Sequence, residues 1–117
     1  RIHTRAEDIG FCGRMIDAGD VTVAEVDGSV SGFLAMRDTE LNCLYVAGQA
    51  QGQGVGKALL EHAKDGAETL VLWTFQANSG ARRFYAREGF SEVELTDGAG
   101  NDEKLPDVRL VWETAKP

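Results

Sequence analysis

Residues 51–57 read Gln51-Gly52-Gln53-Gly54-Val55-Gly56-Lys57, with three glycines at alternate positions. Glycine has no Cβ, so such a stretch lets the backbone approach a ligand closely and adopt positive φ. Val55, Leu59, Leu60 and Ala63 then recur at helical spacing. A helix opening here turns its free N–H groups and positive dipole end toward whatever the turn encloses. These features together describe an anion site, most often for phosphate. The plainer alternative is a flexible loop that binds nothing, and an amphipathic helix directly behind the glycines argues against it.

Two familiar phosphate motifs do not fit. The Walker A loop requires G-x-x-x-x-G-K-[ST], but Gln51 holds its first glycine position and Ala58 the position of its Mg²⁺-binding hydroxyl. The dinucleotide pattern G-x-G-x-x-G fails in both frames, because Lys57 or Leu59 falls at the third glycine.

The surrounding elements can be read from periodicity. Thr4 to Glu7 forms a T-x-x-E capping box, and Ile9, Cys12, Met15 and Ile16 predict a helix over Thr4–Ala18 that ends at Gly19. Strands follow at Val21–Val26 and Val30–Met36, joined by the hairpin signal Asp27-Gly28, and then at Glu40–Val46. The helix from Val55 stops at Gly66, and Thr69–Phe75 is an apolar strand. Asn78 and Ser79 open a second helix, with Ala81, Phe84 and Tyr85 on one side and Gly89 closing it. Phe90–Leu95 and the alternating Val108, Leu110 and Trp112 are strands flanking a polar loop, Thr96–Asp107. The order predicts one mixed α/β or α+β domain over residues 1–117.

Composition narrows the function. With 43% hydrophobic and 26% charged residues, the chain can bury a core and is not disordered. No apolar run reaches the roughly 20 residues of a membrane-spanning helix. A net charge of −7 disfavours nucleic acid as a partner and suits a cationic one. Cys12 and Cys43 have no metal-site or disulfide spacing, so no metal is expected; both read as small buried hydrophobes in a reducing compartment. His3 and His62 read as surface histidines.

The pattern Q-x-x-G-x-G at Gln51–Gly56 resembles that of the GNAT superfamily of acetyl-CoA-dependent N-acetyltransferases. Leu44-Tyr45-Val46 lies just upstream, where that family's pyrophosphate strand ends. Residues 72–90, LWTFQANSGARRFYAREGF, are similar to its second hallmark of strand, Asn, helix, F-Y and G-F. The likeness runs from about Thr4 to Trp112. It implies a central, mostly antiparallel twisted sheet with a splayed parallel strand pair, flanked by helices. It also implies acetyl-CoA as cosubstrate, a small-molecule or peptide amine as acceptor, and the cytoplasm, where CoA pools lie.

Residue by residue, the resemblance gives Gly52, Gln53, Gly54, Val55, Gly56 and Lys57 the CoA pyrophosphate, with Gln51 bracing or contacting it. Leu44, Tyr45 and Val46 would pair their backbone with the pantetheine arm, as a strand adds to a sheet. A backbone N–H on that strand would polarise the thioester carbonyl. Asn78 would touch the CoA arm, and Tyr85 would protonate the departing thiolate. Glu40, eleven residues before Gln51, matches one placement of the family's base; the other placement, five residues before the Asn, is Trp73 here. Each role has a bland competitor: Tyr85 as core, Asn78 as a helix cap, Glu40 as solvated surface. The acidic loop 96–107 suits a cationic acceptor, or is simply a solvated hairpin connection. Neither cysteine has a partner histidine, so direct attack without an acyl-enzyme is expected.

The family begins with a strand and a helix before the element matching Thr4–Ala18, and this sequence starts at Arg1. Their absence would remove one wall of the amine pocket. It would also leave Val21–Val26 near an uncovered edge that invites a homodimer. A non-catalytic acyl-CoA-binding module of the same fold is the competing function. Retention of Tyr85 favours the enzyme, because a binder needs no acid at the sulfur.

Overall fold

The computed structural model describes residues 13–114. Among them are seven strands and two α-helices, an α+β fold. They fall into two compact units divided between Ala67 and Glu68. No helix among the described residues is long and apolar enough to cross a membrane.

In the first unit the strands β1 (Arg14–Ala18), β2 (Val21–Val26), β3 (Ser29–Arg37) and β4 (Glu40–Val46) form an antiparallel meander in sequence order. The Asp27-Gly28 turn takes positive φ at both residues, 52° and 79°, as a tight hairpin matched to strand twist requires. Helix α1 (Val55–Lys64) lies on this sheet against β2, β3 and β4. Its buried face carries Val55, Ala58, Leu59 and His62, spaced one and two turns apart. At Gly32 the helix packs closely onto the sheet. A Cβ there would sit 2.5 Å from the Tyr45 carbonyl and 3.1 Å from Val55 Cγ1. Met15, Ala24, Leu34, Leu59 and Leu60 are buried.

The predicted helix over Thr4–Ala18 is corrected where it can be seen. Residues 1–12 lie outside the described residues, and Arg14–Ala18 is strand β1 rather than the end of a helix. Cross-strand partners outcompete the local periodicity. Arg14 Nε donates to Glu25 at 2.8 Å, and the Thr22 hydroxyl donates to Asp17 at 3.0 Å. Strand β1 also covers the edge expected to be open. Val21–Val26 is paired on both sides, so it offers no edge for a second copy.

In the second unit the strands are β5 (Thr69–Phe75), β6 (Ser91–Leu95) and β7 (Asp107–Glu113), all antiparallel, with β7 between β5 and β6. Helix α2 (Ser79–Arg87) precedes β6. Leu70 and Leu72 of β5 and Val108 and Leu110 of β7 are buried, so one face of this sheet is core. The opposite face carries Trp73, Phe75, Asp107 and Arg109, the register partners across the two strands. The side chains of Arg82 on α2 and Glu92 on β6 join the helix to the sheet through two contacts of 2.7 Å.

Candidate active site

The glycine-rich turn is shaped by two positive-φ glycines and by two glutamine side chains that serve carbonyls. A 3₁₀ turn, Gly48–Ala50, follows β4, and the Gln51 and Gln53 side chains fold back on the chain. Gln51 Nε2 donates to the Val46 carbonyl at 3.3 Å, and Gln53 Nε2 to that of Gln49 at 3.2 Å. Gly52 and Gly54 take φ of 79° and 85°, a region costly for any residue with a Cβ. Gly54 is the N-cap of α1 and has no side chain to cap it, and no acidic residue stands in the first turn. The N–H groups of that turn have no intrahelical acceptor. Lys57 sits among them, set against the helix dipole, an arrangement that a bound anion relieves. The turn thus joins positive-φ glycines to a helix start that no side chain caps, and Gln51 ties it back to β4.

Strand β4 is paired to β3 along its length, but the register slips at Asn42. Ala35 faces Cys43 and Met36 faces Leu41, so Asn42 has no partner on β3. Such a bulge leaves a residue out of the ladder and re-aims its neighbours. Tyr45 is half exposed, and its ring lies 5.5 Å from that of Phe33. Glu40 is exposed at the start of β4, at the opposite end from Val46 and the turn. Cys43 is exposed, which corrects its assignment to the core; Cys12 and His3 lie outside the described residues.

In the second unit Asn78 caps α2 as its sequence position suggests, with its Oδ1 accepting from the Ala81 N–H at 3.0 Å. Tyr85 is buried, its ring packed edge-on against Phe84 at 5.1 Å and Phe90 at 5.4 Å. It is thus both core and candidate acid. Trp73 is 42% exposed on β5. Beside it lies a cleft of about 730 Å³ whose lining includes Trp73, Phe75, Asn78, Asn101, Glu103 and Asp107.

Two parts of this picture were not visible in the sequence. His62 is buried, and its Nε2 lies 2.7 Å from the Asp17 carboxylate. It is not a surface residue, and the signal was its place seven residues after Val55 on the same helix face. The loop 96–107 is also more than a solvated connection. Gln76 Nε2 donates to the Thr96 and Asp107 carbonyls at 2.9 and 3.0 Å, and Asn101 Nδ2 to the Leu105 carbonyl at 2.8 Å. Among the described residues no cluster of His, Cys, Asp or Glu is arranged to hold a metal.

Residues 17–92 match the profile of the acetyltransferase (GNAT) domain. The chain is 34% identical over 92 residues to the peptidyl-lysine N-acetyltransferase YiaC of Escherichia coli (strain K12), covering 77% of this chain and 61% of YiaC. It is 38% identical over 81 residues to the 5-NmdU N-acetyltransferase of Pseudomonas phage PaMx11, covering 62% of this chain and 58% of that protein. The chain thus spans less than two thirds of the length of either relative. Apo YjaB from Escherichia coli shares the fold at a TM-score of 0.71 and 25% identity, over 81% of this chain and 65% of that one. An acetyltransferase from Bacillus anthracis str. Ames, solved with acetyl coenzyme A, does so at 0.72 and 19% identity, over 86% and 66%. Because the profile takes in the glycine-rich turn, β5 and α2 in one continuous match, the chain belongs to the acetyltransferase (GNAT) domain family.

Proposed function

We propose that residues 1–117 act as one acetyltransferase domain that moves the acetyl group of acetyl-CoA to a primary amine by direct attack. The observation that carries this reading is the uncapped start of α1 behind Gly54, with φ of 85°. A pyrophosphate is the anion that such a turn suits. The backbone of residues 52–57 holds it, Gln51 braces the turn, and Leu44–Val46 align the pantetheine arm. Asn78 contacts the same arm while capping α2.

The neutral amine nitrogen attacks the thioester carbonyl carbon, and a backbone N–H of β4 stabilises the developing oxyanion. The C–S bond breaks as the C–N bond forms, and the thiolate takes the Tyr85 phenolic proton. The proton lost by the nitrogen passes through water toward Glu40, and solvent restores the tyrosine. A phenol of pKa about 10 protonates a thiolate whose thiol lies near 8–9 only when position and desolvation assist; the buried, aromatic setting of Tyr85 suits that demand. The name of YiaC, a peptidyl-lysine acetyltransferase, supports an amine acceptor.

Calorimetric titration with acetyl-CoA, followed by thiol-release assays on the wild type and Tyr85→Phe, tests the reading. Acetyl-CoA should bind both proteins alike, while turnover in Tyr85→Phe falls about 100-fold. Failure of the wild type to bind acetyl-CoA removes the acetyltransferase reading. Binding without thiol release for any amine would make the chain an acyl-CoA-binding module instead.

A further inference from the structure

The second unit's cleft is within the size range of small-molecule sites. Its polar lining divides sharply by what each group already does. The Asp107 carboxylate accepts from the Thr96 hydroxyl through one oxygen and from Asn101 Nδ2 at 3.2 Å through the other. Asn101 is further tied to both backbone groups of Leu105, at 2.8 and 3.2 Å. Asn78 Oδ1 is spent on its helix. Glu103 is exposed and makes no hydrogen bond or ion pair with any described residue. It is the one carboxylate of the lining that the loop does not use for its own structure.

On β5 the lining includes two aromatic rings. Trp73 and Phe75 stand on the same face of β5, and Trp73 keeps 42% of its surface exposed. No lysine, arginine or histidine lines the cleft. Arg109, the register partner of Trp73, faces Glu94 on its other side, so that strand row supplies its own counter-charge. An aromatic wall with an unspent carboxylate and no cation repels phosphate and attracts an alkylammonium group.

We infer that this cleft is the acceptor site, resting on the acetyltransferase reading above, and that it selects amines with two cationic nitrogens on a flexible alkyl chain. A carboxylate beside the reacting nitrogen would raise its pKa and hold it in the unreactive ammonium form. Glu103 therefore suits the second nitrogen, which stays charged, while Trp73 packs the alkyl stem between the two. Asn78, shared by the cleft lining and the proposed CoA path, marks the side toward which the neutral nitrogen points. A polyamine and a lysine-rich peptide both present this chemistry.

The test is calorimetric titration of the full chain, loaded with CoA, with spermidine, with blocked lysyl-lysine and with n-butylamine. At least one dication should bind about tenfold tighter than the monoamine, and the tighter of the two identifies the source. Glu103→Gln should erase that advantage and leave butylamine unchanged. Trp73→Ala should weaken every amine about tenfold, and Trp73→Phe should restore much of the loss. Acetyl-CoA affinity, measured separately, should stay within about twofold in all three variants. Equal binding of mono- and dications, discrimination that survives Glu103→Gln, or no amine binding to the loaded chain would each overturn the inference. If the chain binds no CoA, the acetyltransferase reading fails first. Dication shifts of the Thr96 and Asn101 amide signals then report whether the cleft's preference stands without it.

Discussion

The turn before α1 opens a helix that no side chain caps, whereas in the loop before β7 side chains hold several backbone groups. Both stretches are rich in glycine and polar residues and look alike in composition. Around Gly52 and Gly54 the Gln51 and Gln53 side chains both serve carbonyls, and the N-cap Gly54 offers no side chain to cap the helix. Across 96–107, Thr96 accepts from the Gly98 N–H at 3.1 Å and Asp97 from the Ala99 N–H at 2.9 Å. Asn101 holds both polar groups of Leu105, and Lys104 Nζ reaches the Ala99 carbonyl at 2.9 Å. The first region suits an anion through backbone dipoles. The second is a rigid frame from which a few side chains, Glu103 among them, project.

The loop before β7 is most readily disrupted at Gly98. This glycine has φ of 84°, and an added Cβ would overlap the Leu105 backbone. Gly98→Ala should cost about 3 kcal/mol of stability, read from the urea midpoint, because strain and overlap add. Acetyl-CoA affinity at the other loop should scarcely move. An unchanged midpoint would mean that the loop is not a rigid frame. Gly54→Glu carries the next largest effect and the opposite signature. It places a carboxylate at the helix start where the anion should sit, and acetyl-CoA binding should weaken about 100-fold, or about 2.7 kcal/mol. The backbone strain at φ of 85° adds about 1–2 kcal/mol of destabilisation. Retained affinity would show that the cofactor's phosphates lie elsewhere.

This contrast also explains what could be read from the sequence. The start of α1, the Asp27-Gly28 turn, the Asn78 cap and the bounds of β5 depend on residues close to one another in the chain. Propensity, capping and φ preference therefore specify them locally. The missed features are held by distant partners. Residues 14–18 are a strand because β2 supplies Glu25 and Thr22 across the ladder. His62 is buried because α1 turns that face onto the sheet, and its partner Asp17 is 45 positions away. Gly32 matters only because a helix lands on it. The glycine-rich turn was legible because it is made of consecutive backbone. The cleft was not, because Trp73 and Glu103, 30 positions apart, line it together only once β5 and β7 pair.

The smallest effect should be one of acid on the second loop's outer anchor. Arg82 grips Glu92 with two contacts of 2.7 Å and donates from Nη1 to the Gln76 carbonyl at 3.0 Å. Gln76 in turn holds the carbonyls of Thr96 and Asp107. The hydrogen bonds from Arg82 hold the Glu92 carboxyl below the usual carboxylate range, and the same pairing raises the arginine. A folded pKa below the unfolded one means that the pair's contribution is complete above the ordinary carboxylate value, about 4.3. It is lost as the pH falls through the depressed folded value. The contribution is read as the difference between wild type and Glu92→Gln at each pH. That gap in thermal midpoint should be a few degrees at pH 7, since the pair is about one third exposed, and should close in acid. Hydrogen exchange should quicken at Gly98, Ala99 and Leu105 in the variant and stay unchanged at residues 52–57. A gap that persists in acid would assign the loss to packing of the side chain rather than to its charge.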